Sequence, residues 1–197
     1  MSRGGLAACA AIGALVAGAL FAGAPARAAE IALYQSALQK AVDREVFGGT
    51  GRRVLSGNPR DCSHALVEQP AVTLRDGRLY LRARFAARAG VRVGAECAGT
   101  GESFWFEVSG RPAADGETVS LADLRLHEIK EFYRPLIETL MAGPVARAVQ
   151  INLRAELQKV LSGDIGYQAT LPKLAIQSVT TTDQAITMVF DFRLEAR

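Results

Sequence analysis

The chain has 197 residues and a formal net charge of +3, from 23 Lys and Arg against 20 Asp and Glu. That balance lacks the clustered basic excess of a nucleic-acid-binding protein. The length suits one domain with a core that needs no staples, and leaves no room for two ordinary domains.

The first 28 residues read as a cleaved export signal. Arg3 supplies a positive start, Leu6 to Ala24 form an apolar run, and Ala26-Arg27-Ala28 offers the small-x-small pattern of a signal-peptidase site. Gly13, Gly18, Gly23 and Pro25 weaken that run as a spanning helix, and no charged stop-transfer flank follows. Leu6-Ala7-Ala8-Cys9 resembles an acylation box, but most of the apolar run follows the cysteine instead of preceding it. The expectation is a periplasmic protein whose mature form, 29–197, is a single domain. Cys9 leaves with the leader, so Cys62 and Cys97 are expected to form a disulfide in an oxidising compartment. The alternative, a thiol pair for metal or redox work, lacks CxxC spacing and has only His64 and His127 to assist it.

From Glu30 to Val46, apolar residues at Ile31, Tyr34, Leu38, Ala41, Val42 and Val46 recur at helical spacing, which predicts an amphipathic helix ending at Gly48-Gly49. Thr50 to Pro70 is rich in turn formers and reads as loop, with at most a short strand at Val54-Leu55. A strand at Val72 to Leu74 leads through Asp76-Gly77, a tight-turn dipeptide, into Arg78 to Phe85. There Leu79, Leu81, Ala83 and Phe85 alternate with Arg78, Tyr80, Arg82 and Arg84, as successive side chains of a strand do. Val91, Val93 and Ala95 alternate likewise, and after Gly99-Thr100-Gly101 so do Phe104, Phe106 and Val108. Between Thr118 and Ile129, Val119 and Leu121 differ in parity from Leu124 and Leu126. A bulge near Ala122-Asp123 would return all four to one face.

The period then becomes helical. Pro135 suits the first turn of a helix reaching Ala142. After Gly143-Pro144, the stripe Val145, Val149, Leu153, Leu157 and Val160 predicts a second helix ending at Ser162-Gly163, or one long helix kinked at Gly143-Pro144. Leu174, Ile176 and Ser178 open a terminal hairpin, closed by Ile186, Met188, Phe190, Phe192 and Leu194 in strict alternation. The expected fold is α+β: a curved antiparallel sheet wrapped around a long helix, with an N-terminal helix.

No catalytic or cofactor motif stands out. GxSxG, HExxH, P-loop and Rossmann glycine patterns are missing from the sequence. Cys62 and His64 would lie about 7 Å apart on an extended chain, and the disulfide would consume the thiol. Arg75, Arg78, Arg82, Arg84, Arg88 and Arg92 form either a patch for anionic head groups or an outer sheet face neutralised by acids such as Glu96 and Glu107. Trp105 reads as an anchor at a membrane interface or a cover over a helix. The large residues of the inner face, Leu79, Leu81, Phe85, Phe104, Phe106, Ile186, Met188, Phe190 and Phe192, would either fill a core or line a cavity for an acyl chain.

The element order, and the stretch Leu171-Pro172-Lys173-Leu174-Ala175-Ile176-Gln177-Ser178-Val179 followed by a turn and Ala185-Ile186-Thr187-Met188-Val189-Phe190-Asp191-Phe192, resemble bacterial periplasmic members of the tubular lipid-binding (TULIP-like) superfamily. The resemblance implies a long helix in a curved sheet, a groove for a lipid or other apolar ligand, and no cofactor or catalytic residues. The resulting expectation is a non-enzymatic periplasmic carrier that transiently contacts a membrane surface. The alternative is an adaptor with a solid core and a protein-binding surface.

Overall fold

The computed structural model describes residues 27–161 and 169–196. The leader expected over 1–28 therefore lies almost entirely outside the described residues, as does the helix end expected at Ser162-Gly163.

The described residues are mostly β, which corrects the expected α+β architecture. Two antiparallel sheets form a curled half-barrel. The larger has the order β2 (Arg52–Gly57), β3 (His64–Arg75), β4 (Arg78–Val93), β5 (Glu96–Asp115), β6 (Thr118–His127) and β7 (Ile151–Asn152). The smaller has the order β1 (Arg27–Tyr34), β9 (Ala185–Ala196), β8 (Ala169–Thr181). Only short helices accompany them: α1 (Gln35–Phe47), α2 (Arg134–Leu140), α3 (Ala146–Ala148) and α4 (Leu153–Leu161).

The long helix does not form. A 3-10 turn over Glu131–Tyr133 leads into α2, Pro144 sits in a π-helical turn over Met141–Val145, and α3 ends at Val149. Ile151 and Asn152 then pair with Val119 and Thr118 of β6. The Asn152 side chain accepts from the Ala155 N–H at 2.9 Å, restarting the helix as α4. Val145, Val149 and Leu153 are all buried across this break, so the stripe is real although the helix is not continuous.

The expected N-terminal helix also starts late. Residues 27–34 form β1, in which Ala29, Ile31 and Leu33 lie opposite Phe190, Met188 and Ile186 of β9. Long-range pairing overrides the helical spacing there. α1 then ends as expected at Gly48, with the Gly49 N–H donating to the Asp43 carbonyl at 2.9 Å. It lies over β3, where the Gln39 amide donates to the Pro70 carbonyl at 3.0 Å and accepts from the Val72 N–H at 2.7 Å. β3 itself occupies His64–Pro70, expected to be loop, and Gln69 and Pro70 form a bulge opposite Ala83.

Several expectations hold. Asp76 and Gly77 form the β3–β4 turn at φ of 51° and 70°. β6 carries its bulge one residue from the expected place: Ser109 pairs with Arg125 and Arg111 with Ala122, so Asp123 and Leu124 oppose Gly110. Cys62 and Cys97 form a disulfide, with Cα atoms 5.3 Å apart. Gly99-Thr100-Gly101 lies inside a strand. β5 runs through it, and Gly99 faces Gly90 so closely that a Cβ would come within 2.2 Å of the Ala89 carbonyl oxygen.

Two cores result. The larger joins Leu38, Val42, Val46 and Phe47 of α1 to the inner faces of β3, β4 and β5, with Ile137, Leu140, Met141 and Val145 alongside. The smaller joins Leu153 of α4 to Leu171, Leu174 and Phe190.

Candidate ligand groove

The nine residues expected to line a cavity divide between these cores. Leu79, Leu81, Phe85 and Phe106 are at most 2% exposed, and together with Ile186 they pack into the larger core. Phe104 packs at its margin, its ring 5.1 Å from that of Phe85 and 5.5 Å from that of Tyr133. Phe190 is in the smaller core and Phe192 packs against it, with ring centroids 5.9 Å apart. Met188, also buried, lies between the two cores on β9.

Where the cores part, the surface opens. A groove of about 860 Å³ runs between α1, β1 and the chain from Pro144 to Lys159. Its floor is Ile31, Leu33, Leu153 and Met188, and Arg44, Arg53 and Arg147 stand at its mouth. A second groove of about 310 Å³ lies between α4 and the smaller sheet, walled almost wholly by carbon from Leu157, Leu171, Phe190, Phe192 and Leu194. Ile31 lines both. The two grooves adjoin at Ile31, and each is in the size range of small-molecule sites.

α4 is fixed beside these grooves at its N-terminal end. The Leu153 N–H donates to the Glu117 carbonyl at 2.9 Å. Arg154 forks onto the Glu117 carboxylate at 2.6 and 2.7 Å and donates to the Leu171 carbonyl of β8. One guanidinium thus ties α4 to the β5–β6 turn and to the smaller sheet. The Arg154 hydrogen bond holds the Glu117 carboxyl below the usual carboxylate range. A depressed acid contributes stability that is present above the unfolded value, about 4.3, and lost as pH falls through the folded one. The protection of α4 amides, taken relative to their intrinsic exchange rates, is therefore expected to fall below about pH 4 in the native chain but to change little with pH in Glu117→Gln.

The convex face carries polar chemistry of another kind. Arg75 pairs with Glu107 at 2.7 Å and Arg84 with Glu68 at 3.7 Å, the Arg75 guanidinium lies 3.8 Å from the Tyr80 ring centre, and that of Arg82 lies 4.8 Å from the Trp105 ring centre. This part of the arginine run is neutralised by cross-strand acids, and Trp105 is capped by a cation and covers no helix. Sequence reasoning missed the cluster at the β6 bulge. Ser109 Oγ lies 3.0 Å from His127 Nε2, the spacing of a nucleophile and its base. Yet Ser109 is 1% exposed and its oxygen accepts from Arg78 Nε at 3.2 Å, which withdraws the electron density a nucleophile needs. Arg78 also pairs with Asp123 at 2.8 Å and donates to its carbonyl; with Arg125, it holds the Asp123 carboxyl below the usual range. The cluster pins the bulge. Arg78→Met is expected to lower the urea unfolding midpoint, because it removes the buried guanidinium that bridges Ser109 and Asp123 across the bulge.

Among the described residues no helix is long and apolar enough to cross a membrane, and no three His, Cys, Asp or Glu side chains cluster as metal ligands. The period-two spacing of Ala29, Ile31 and Leu33 could have revealed the groove floor. Nothing local marks Arg53 and Arg147, which come to line one groove only in the folded chain. No protein-family profile, no curated protein and no solved structure matches this chain.

Proposed function

We propose that this is a non-enzymatic binding or carrier protein for a lipid or similar apolar ligand, exported to the periplasm, with the ligand held between the smaller sheet and α4. The supporting observation is the pair of adjoining grooves that share Ile31 and have Met188, Phe190 and Phe192 in their walls. Concave sites of this volume with apolar walls and a few polar groups are the usual form of a small-molecule site. The disulfide fits an oxidising, extracellular-type compartment. The adaptor reading is supported by Phe132, 86% exposed beside a third groove that it lines with Tyr133 and Leu136.

Native mass spectrometry with lipid extraction separates the two, because a carrier retains a co-purifying lipid and an adaptor does not. Ile31→Trp is expected to fill the junction of the grooves and to reduce retained lipid at least tenfold, with a melting temperature close to that of the parent. Undiminished lipid in that variant, or none in the parent, would contradict the carrier reading.

A further inference from the structure

We infer that the groove's occupant is an amphiphile with an anionic head, a carboxylate or phosphate, seated between Arg53 and Arg147 with its acyl tail running over Ile31 toward Phe190. This inference rests on the carrier reading and names the ligand class within it.

The charges at the mouth do not cancel. Arg44, Arg53, Arg147 and Lys159 line the larger groove against Glu45 and Glu156. Glu45 is engaged by Arg44 at 2.7 Å and Glu156 by Lys159 at 2.6 Å. Among the described residues no carboxylate lies within ion-pair distance of Arg53 or Arg147. Arg53 is moreover held in place, because its Nη1 donates to the Val46 carbonyl in the last turn of α1 at 2.8 Å. A guanidinium has five N–H donors, so this bond leaves a fork for a planar or tetrahedral anion.

The floor below is apolar and directional. Along β1 the inward residues Leu33, Ile31 and Ala29 run from the larger groove into the smaller one, a span of about 13 Å at the rise of a strand. The two arginines thus lie in the larger groove, whereas the smaller one, although Glu30 is in its lining, is walled almost wholly by carbon. An uncharged hydrocarbon would fill the floor and leave the two guanidiniums unanswered at the edge of a low-dielectric groove. A free inorganic anion would answer them and leave the floor open.

The test is displacement of the neutral dye Nile red by oleate, by oleyl alcohol and by inorganic phosphate, followed by fluorescence. Oleate is expected to compete at least tenfold more tightly than oleyl alcohol, and millimolar phosphate is expected not to displace the dye. In the double variant Arg53→Gln/Arg147→Gln the oleate advantage is expected to fall toward unity while oleyl alcohol competes as before, which also shows that the groove is intact. Arg60→Gln/Arg111→Gln, altered at surface arginines outside the groove, is expected to retain the full advantage. Equal competition by oleate and oleyl alcohol in the parent protein, or an advantage that survives the double variant, would overturn the anionic head and leave the carrier reading standing. Failure of every lipid to compete would remove both, and displacement by phosphate alone would reduce the mouth to a simple anion site.

Discussion

Phe85→Ala is expected to lower the unfolding free energy by about 3–5 kcal/mol, the range for deleting a buried aromatic side chain. Phe85 has no exposed surface, and its ring lies 4.6 Å from that of Tyr133 and 5.1 Å from that of Phe104. Removing it also loosens Tyr133, whose hydroxyl donates to Glu102 at 2.9 Å and anchors the chain entering α2. Urea denaturation measures the loss. Leu81→Trp and Phe106→Trp provide the converse. Both sites are filled, so added bulk is expected to cost about 1–3 kcal/mol by overpacking without displacing ligand. Retained lipid falling in these two variants would mean that the larger core is hollow.

Cys62→Ser/Cys97→Ser is expected to cost about 3–4 kcal/mol through the entropy of the unfolded chain, released from a closed loop of about 36 residues. The native state is expected to keep its shape. The Ser63 hydroxyl donates to the Gly90 carbonyl at 2.9 Å and accepts from the Gly90 N–H at 3.1 Å, holding the same loop against β4, the strand paired with the β5 segment that carries Cys97. The urea midpoint should fall while lipid retention stays constant. Free-thiol titration of the unreduced parent should find no reactive thiol among Cys62 and Cys97.

Strand periodicity was legible where strands are half-buried. Leu79 to Phe85 and Ile186 to Phe192 alternate cleanly because one face of each meets a core, and the β6 bulge could be read because it shifts the parity of Leu124 and Leu126. Helical periodicity misled in two places. Val145, Val149 and Leu153 keep helical spacing through a break made by β7 and the Asn152 cap, since burial constrains which faces are apolar and leaves backbone continuity open. Ile31, Tyr34 and Leu38 fit a helix on paper, yet β9 supplies β1 with a ladder that local spacing cannot register. For the site, Met188, Phe190 and Phe192 were legible as large inward residues. That Leu79 and Phe106 are covered while Phe192 borders the smaller groove depends on where α1 and α4 come to rest, which side-chain spacing does not encode.

The pairing of β1 with β9 joins Tyr34 to Ala185 and Arg27 to Phe192, the first described strand to the last. The strands β2 to β6 each pair with their neighbour in sequence and need only short hairpins to do so. A growing chain can therefore zip the larger sheet while β1 still has no partner. The smaller sheet must wait for β9, and closing the loop from Tyr34 to Ala185 is slow. Since β1 and β9 supply Ile31, Leu33 and Met188, the groove floor forms only once these two strands meet, and a variant truncated before β9 would keep every strand of the larger sheet and lack that floor.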